Sequence, residues 1–505
     1  MQKQVKSALI SVFHKEGLEE IIQQLHQLGV TLYSTGGTQK FIENQNIPCK
    51  SVESVTDYPG ILGGRVKTLH PKVFGGILAR RENEGDQNEI EEYNIPEIDL
   101  VIVDLYPFEE TVKNTDEEAQ IIEKIDIGGV SLIRAAGKNY KDVLTVSSKD
   151  DYSGLLHILK ENKGITSLEE RRQYASRGFE LCAHYDVAIA NYFLEDETQN
   201  YFLSSAKPVH TLRYGENPHQ KGAFYGDFEK VFEQLNGKAI SYNNLVDVDS
   251  AVRLVQEFGD DEIVFAVIKH TNPCGLAVRS TVKEAWEAAL SGDKESAFGG
   301  VYVTNAVVDA ETAESINKMF YEILVAKDFS PEALEILSKK KKRVLLKQKA
   351  KLSHPTLFKN VVNGVLEQDV DQGNFDKWEE TGRPATEDEK TELRFANLVC
   401  KHLKSNAIAL TKDRKIVGMG AGQTSRVDAL RQAIAKAKQF DHDLNGAVMA
   451  SDAFFPFDDC VKLAYAEGIN AVIQPGGSIR DKDSVSFCEQ NDITMVMTGK
   501  RHFKH

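Results

Sequence analysis

The chain of 505 residues has only six cysteines, Cys49, Cys182, Cys274, Cys400, Cys460 and Cys488, far apart and without a CxxC pair. That spacing excludes a disulfide framework and fits thiols kept reduced in a cytoplasm. No apolar run approaches the ~18 residues of a membrane span, and the opening MQKQVKSALISVF, broken by Ser11, is too short in apolar residues for a secretion signal. Basic residues are in deficit: 61 Lys and Arg against 76 Asp and Glu leave a formal net charge of −15. A field of that sign repels polyanions, so no nucleic-acid or membrane partner is expected, while small anions can still enter focused sites. The one concentrated basic run, KKKKR from Lys339 to Arg343, reads as a solvated helix end.

Over the first ~150 residues strand and helix patterns alternate. SALISVF is a short apolar run, and Leu18, Ile21, Ile22, Leu25 and Leu28 then share a helical face that Gly29 ends. VTLYSTGGT resumes as strand, and DLVIVDLYPF, stopped by Pro107, is apolar throughout, as a parallel strand buried on both faces should be. The expectation is a doubly wound α/β domain. Residues ~150 to 195 read as helical, and the polar EDETQNYFLSSAKP places the main boundary at 198/199. Beyond it strands and helices alternate again with no fixed-period repeat. FAVIKHTNPCGLA and AVMASDAFFPFDDCVKLA share a plan of apolar strand, polar turn, proline and helix, which suggests two related halves joined near 365 to 385.

Several glycine-rich segments suggest anion binding. In STGGT, Gly36 and Gly37 let backbone approach an anion at a helix start, with hydroxyls from Ser34, Thr35 and Thr38; an ordinary turn is the alternative. GGRVKTLHPKVFGG packs Arg65, Lys67, Thr68, His70 and Lys72 between glycine pairs, yet Val66 breaks the triphosphate-binding G-x-x-x-x-G-K-[ST] spacing, so a monophosphate or carboxamide ligand fits better. GMGAGQTSR lacks the G-x-G-x-x-G of a dinucleotide site. In KIDIGGVSLIRAAGKNY, Asp126 reads as a helix cap and Lys138 as a charge near the helix end, although a partly desolvated lysine also shuttles protons.

VIKHTNPCG resembles half of a zinc site. The zinc deaminases use H-x-E and P-C-x-x-C, but here Ala277 stands where the second thiolate belongs and no H-x-E precedes it. No metal is expected. What remains is His270 as a base near neutral pH, Lys269 as a cation for a developing oxyanion, Asn272 as an amide partner and Pro273 ending the strand and opening a helix. That set suits acyl or formyl transfer to a weak amine.

Taken in order, GGRVKTLHP, DLYPF, IDIGGVSLIRAAGKN, LRYGENPHQ, KHTNPCG, SAFGG, KSNAIAL, GAGQTSR, SDAFFPF and RHFKH resemble a bifunctional purine-biosynthesis family, in which an aminoimidazolecarboxamide ribonucleotide (AICAR) formyltransferase is fused to inosine monophosphate (IMP) cyclohydrolase. The resemblance covers the whole chain. It implies a methylglyoxal-synthase-like domain with core 1–147 in residues 1–198, then two zinc-free cytidine-deaminase-like subdomains in 199–505. It further implies a cytoplasmic homodimer with the formyltransferase site at its interface, and 10-formyltetrahydrofolate as cosubstrate with no tightly bound cofactor. Two other functions stay open: a regulatory nucleotide-binding module in the N-terminal part, and a zinc-free relic of a nucleoside deaminase.

For ring closure the resemblance implies that Lys15, Thr35, Gly36, Gly37, Thr38, Arg65, Val66, Lys67, Thr68 and Ile127 hold the nucleotide. Tyr106 and Asp126 would line the reacting base and Lys138 would exchange the proton. For formyl transfer it implies that Arg213 and Tyr214 bind AICAR, His270 accepts the amine proton with Lys269 assisting, and Asn406 and Arg426 orient ligand. Phe298, Gly299, Phe454, Asp459, Ser478, Ile479, Arg501, Phe503 and His505 would complete that site, and the family's acidic residue near the folate falls loosely on Glu322. Two segments depart from the family pattern: SVFHK stands for SVSDK, and DLYPF for NLYPF. A carboxylate near a phosphorylated ligand is unfavourable unless it meets the base or a cation, so Asp104 is not expected to copy its family counterpart.

Overall fold

The computed structural model describes residues 2–194, 200–207 and 209–505; Thr198 and Gln199, on which the expected boundary falls, lie outside them. The chain forms two compact units, one through Ala206 and one from Lys207.

The first unit is built on a five-stranded sheet of β1 (Ser7–Ser11), β2 (Thr31–Ser34), β3 (Lys50–Ser51), β4 (Leu100–Val103) and β5 (Leu144–Val146), ordered β3-β2-β1-β4-β5. Every pairing is parallel. Alternate residues of one strand feed opposite cores: Leu100 and Ile102 pack with Leu18, Ile21, Ile22 and Leu25 and with Leu155 of helix Tyr152–Lys160, whereas Val101 and Val103 pack with Ile77, Leu132, Ile133 and Cys182. Helices therefore cover both faces, as the apolar runs require. The strand order reverses between β1 and β4, which makes the crevice beyond their carboxyl ends the expected ligand position.

Among the described residues, the second unit contains a twelve-stranded sheet. Its strands are β6 (Phe232–Asn236), β7 (Ile263–Lys269), β8 (Asn272–Arg279), β9 (Val301–Thr304), β10 (Ile323–Ala326) and β11 (Val344–Gln348). They are followed by β12 (Glu379–Gly382), β13 (Ile408–Lys412), β14 (Lys415–Gly420), β15 (Val448–Ser451), β16 (Ala471–Gln474) and β17 (Thr494–Met497). The order β6-β11-β10-β9-β7-β8-β14-β13-β15-β16-β17-β12 reads the same from either end: each half has one antiparallel hairpin, then three parallel strands, then an antiparallel edge strand.

That repeat corrects the sequence reading of VIKHTNPCG. Pro273 neither ends a strand nor opens a helix: residues 263–279 are one β-hairpin whose turn residues His270 and Thr271 have φ of 51° and 64°, and the next helix starts at Val282. Pro273 is tolerated because it sits at a bulge, where the register jumps between Val267 and Ile268. The counterpart of this hairpin is β13–β14, whose turn residues Asp413 and Arg414 have φ of 54° and 50° and whose bulge lies between Leu410 and Thr411. AVMASDAFF, matched to it on sequence, is instead the counterpart of β9. Each hairpin presses glycine onto the following helix: a Cβ on Gly275 would lie 2.1 Å from Ala289 O, and one on Gly418 would lie 2.4 Å from Ala433 O.

The basic run is also corrected at its last member. Lys339 to Lys342 are exposed beyond helix Pro331–Ser338, but Arg343 is buried, its guanidinium 4.6 Å from the Tyr321 ring centre and bonded to Asn317 Oδ1 at 2.8 Å.

Candidate functional site

In the first unit the sequence-selected residues gather beyond the carboxyl ends of β2, β1 and β4. Helix Gly36–Glu43 begins within the glycine pair, where Gly36 has φ of 53°, and Thr35 at its N-cap carries a buried hydroxyl with no hydrogen-bond partner. The Lys67 ammonium lies above this helix start, 3.2 Å from where a Gly36 Cβ would be. Thr68 Oγ1 lies 3.2 Å from the corresponding point on Gly128, the first residue of helix Gly128–Lys138. Two helix N-termini and a lysine thus lie together beyond these strand ends, beside the buried Thr35 hydroxyl, a donor set complementary to a phosphate. Thr38 ties the β1 loop to this helix, donating to Val12 O at 3.0 Å and accepting from Val12 N at 3.2 Å.

The other wall follows β4. Tyr106 meets the Phe13 ring edge-on at 5.6 Å, and Lys124 Nζ stands 5.2 Å and 5.9 Å from the Phe13 and Tyr106 ring centres. Asp126 lies one residue before the N-cap Ile127, and its Oδ1 accepts the Gly129 N–H at 2.7 Å, so it holds the first turn of the helix from just outside it. Burial pushes the Asp126 carboxyl above the usual range, and burial with the nearby Asp126 and Asp104 charges pushes the Tyr106 phenol upward. Burial lowers Lys15, whose ammonium donates to Val12 O and, at 3.1 Å, to Phe13 O. Ile127 and Arg65 are exposed, and Arg65 pairs with Glu123. Val66 bridges Ile61 and holds that loop.

Lys138 is not brought to this crevice. It ends the helix that Gly128 begins, ten residues and so about 15 Å along the axis from Asp126's end. Its neighbour Asn139 is buried and donates to Ile77 O at 2.8 Å and Ala79 O at 3.0 Å. His70 caps the helix Pro71–Leu78, and Lys72 pairs with Asp57 at 3.0 Å.

In the second unit the registers place the end of β7, the starts of β8, β9 and β13, and the ends of β14 to β17 on one edge of the sheet. His270 is exposed on that edge in the left-handed region, where histidine is one of the better-tolerated side chains. Its turn is held from below: Thr271 N donates to Asp247 Oδ1 at 2.7 Å, Ser250 Oγ donates to Thr271 O at 3.0 Å, and Asn272 Nδ2 donates to His270 O at 3.0 Å. The Lys269 ammonium donates to the carbonyls of Phe298 and Gly299, each at 3.1 Å, which fixes its charge at the start of β9. Phe298 packs on Phe320 with ring centres 5.2 Å apart.

Asn272 Oδ1 accepts the Lys404 N–H at 3.2 Å, joining the hairpin to the segment before β13. There Asn406 Oδ1 accepts from Arg426 at 3.0 Å, and the buried Arg426 also donates to Ser451 Oγ at 2.8 Å and Asp452 Oδ1 at 2.7 Å. The final residues lie on the same segment, with Ser405 N donating to Lys504 O at 3.0 Å and Lys504 N to Ser405 Oγ at 3.0 Å. Arg501 stacks on Phe503, and the Phe503 and His505 rings are 5.6 Å apart.

Phe454 and Asp459 follow β15, and Ser478 and the fully exposed Ile479 follow β16; the loops touch where Arg480 stacks on Phe457. Six strand intervals separate Phe298, ahead of β9, from Ser478, about 29 Å at 4.8 Å per strand. One chain therefore does not bring these two together. Arg213 and Tyr214 stack on each other after strand Val209–Leu212; nearby Glu216 O accepts from Asn243 on Tyr242–Gln256, the helix that carries Asp247. Glu322 is paired with Lys238 at 2.8 Å. Cys274 is buried in the hairpin, its thiol pushed up to about 12 by burial, and no cluster of three or more His, Cys, Asp or Glu suited to a metal occurs among the described residues.

Sequence reasoning missed Asp247, Ser451 and Asp452, which position His270 and Arg426, and Tyr185, whose hydroxyl accepts Asp126 N at 2.9 Å and donates to Lys124 O at 2.5 Å. SDAFF carried a signal for the first serine–aspartate pair; Asp247 and Tyr185 lie in ordinary helical patterns.

Compared with known proteins, the chain matches the AICARFT/IMPCHase bienzyme family over residues 136–436 and the MGS-like domain over 17–131. It is 56 % identical over 506 residues to the bifunctional purine biosynthesis protein PurH of Bacteroides thetaiotaomicron, covering 100 % of this chain and 99 % of that one. The proteins of the same name from Chloroflexus aurantiacus and Aquifex aeolicus are 44 % identical over 511 residues and 45 % over 508, covering 100 % and 99 % of this chain and 99 % and 100 % of theirs.

Proposed function

Because this chain belongs to the AICARFT/IMPCHase bienzyme family, we infer that it carries out the last two steps of IMP synthesis. In the first, the 5-amino nitrogen of AICAR attacks the formyl carbon of 10-formyltetrahydrofolate, the bond from that carbon to the folate nitrogen breaks, and the amine loses a proton. In the second, the carboxamide nitrogen of formyl-AICAR attacks the formyl carbon and water leaves.

The observation that carries this reading is the end-to-end similarity of a chain that holds both a phosphate-complementary crevice and a separate histidine-bearing sheet edge. His270 is the proton acceptor of formyl transfer, with Lys269 stabilising charge beside it and Asn406 and Arg426 orienting AICAR. Arg213 and Tyr214 hold the nucleotide. Phe298, Gly299, Phe454, Asp459, Ser478, Ile479, Arg501, Phe503 and His505 shape the donor and acceptor positions. In the first unit Thr35 to Thr38 with Lys67 and Thr68 receive the phosphate, and Tyr106 and Asp126 line the base. Folate is a cosubstrate, and no tightly bound cofactor takes part.

A homodimer with the formyltransferase site at its interface is supported by two features. Phe298 and Ser478 lie too far apart for one nucleotide, so a second copy would supply the missing wall. The hairpin Thr356–Val361 and Gly364–Asp369 also exposes Val362 and Leu366, 93 % and 60 % accessible, and an isolated two-stranded ribbon is marginal in water. Reduced thiols and the absence of a described helix able to cross a membrane agree with a cytoplasmic enzyme.

The test supplies AICAR and 10-formyltetrahydrofolate to the full chain and follows IMP. Wild type should form it; His270→Ala should form none from AICAR yet still cyclise added formyl-AICAR. Failure of wild type on either substrate would sink the bifunctional reading.

A further inference from the structure

The two departures from the family motif in the first unit meet each other. Asp104 accepts the backbone N–H groups of Phe13 and His14, the latter at 2.9 Å, and its Oδ2 is 2.9 Å from His14 Nδ1. Phe13 and His14 follow β1 and Asp104 follows β4, so the pair spans the point where strand order reverses. In an open parallel sheet that crevice is where ligand lies. The phosphate-complementary helix start follows β2 on one side, and Tyr106 and Asp126 line the other.

The geometry fixes the tautomer of the neutral imidazole. A carboxylate only accepts, so Nδ1 carries the proton toward Asp104, and in the neutral ring Nε2 keeps its lone pair. Among the described residues no protein hydrogen bond engages Nε2, and the His14 side chain remains 39 % accessible. Three donors, the Phe13 and His14 backbone N–H groups and Nδ1–H, satisfy the Asp104 carboxylate. The other ionisable groups around the pair are Lys15 and Glu16 on the same loop, Tyr106 and Asp126, Lys124 above Phe13, and Tyr152 at the start of Tyr152–Lys160.

We propose that His14 is a catalytic residue of ring closure and that Asp104 is its positioning residue; this rests on the cyclohydrolase reading of the crevice. As the carboxamide nitrogen bonds to the formyl carbon and the formyl C=O π bond opens, His14 Nε2 takes one proton from that nitrogen and the formyl oxygen takes one from solvent to become a hydroxyl. The imidazolium returns its proton to this hydroxyl as the C–O bond breaks and water leaves, while the former formamido N–H loses its proton to solvent and the C=N bond forms. The proton taken up by the formyl oxygen is thereby balanced.

The experiment uses the full chain with formyl-AICAR and measures kcat and KM for cyclisation across pH, with formyl transfer to AICAR as the check on folding. His14→Gln is expected to lower kcat about a hundredfold and to remove a one-proton acid-side limb from the kcat/KM profile. Asp104→Asn, which keeps an acceptor for the loop N–H groups, is expected to lower kcat less and to displace that limb. A His14→Gln enzyme with unchanged kcat and limb, or with only KM raised, overturns this assignment alone. A wild-type protein that leaves formyl-AICAR untouched overturns the cyclohydrolase reading as well.

Discussion

Asp247 and Glu392 play the same part in the two halves of the second unit: each, from the helix ahead of a β-hairpin, accepts the N–H of the second turn residue, Thr271 or Arg414, at 2.7 Å. Burial pushes both carboxyls above their usual range. In the second half the held turn carries no proposed chemistry, so the clamp is a device of the hairpin, which the first half uses beneath His270. Two consecutive left-handed residues cost free energy that the clamp offsets. Removing it with Asp247→Ala should lower formyl transfer about tenfold to a hundredfold through misplacement of His270. Asp247→Asn, which retains an acceptor, should recover most of that, and cyclisation of added formyl-AICAR should be unchanged in both. Equal loss of the two activities would mean the clamp serves folding alone.

These positioning groups explain which parts were legible in the sequence. The parallel sheet was readable because a strand buried on both faces must be apolar at every position, as Leu100 to Val103 are. The phosphate cradle was readable because backbone approach demands glycine and hydroxyl residues close together in sequence. The turn at His270 was not, since His-Thr carries none of the Asn-Gly chemistry that usually announces a two-residue hairpin. Two related halves were legible, but their true alignment was hidden for the same reason: a fixed offset of 143 residues joins Lys269 to Lys412 and Gly275 to Gly418, but between them His-Thr faces Asp-Arg. Contacts such as Asp104 to His14, 90 residues apart, exist only once strand order is known.

The position of Lys138 separates two accounts of ring closure. Its ammonium belongs to the far end of Gly128–Lys138, while that of Lys67 lies over the helix start at Gly36. If phosphate binding and proton transfer both occur in the crevice, Lys67→Ala should lower kcat/KM for formyl-AICAR about a hundredfold, because it removes a charge-assisted contact of roughly 2 to 3 kcal/mol. Lys138→Ala should stay within about threefold, the range of a solvated charge near a helix end. Steady-state kinetics on both variants decides the matter, and a larger loss for Lys138→Ala would place the chemistry outside this crevice.

Lys504 provides a measurable link between pH and stability. Burial lowers its ammonium to about 8, against 10.5 for the free side chain, with its Nζ bonded to His402 O at 3.2 Å. Between those values the unfolded chain binds a proton that the folded one does not, so the contribution of this group to folding rises with pH across the window and is lost as pH falls through about 8. The shift corresponds to at most about 3 kcal/mol. Buried thiols such as Cys274 and Cys460, held near 12, act in the opposite direction over an overlapping range, so wild type alone would show a mixed slope. The difference between wild type and Lys504→Met isolates it: urea midpoints at pH 7 and pH 10 should show the variant's advantage at the lower pH shrinking as pH rises. An advantage that stays constant across that range would mean that Lys504 titrates normally in the folded chain.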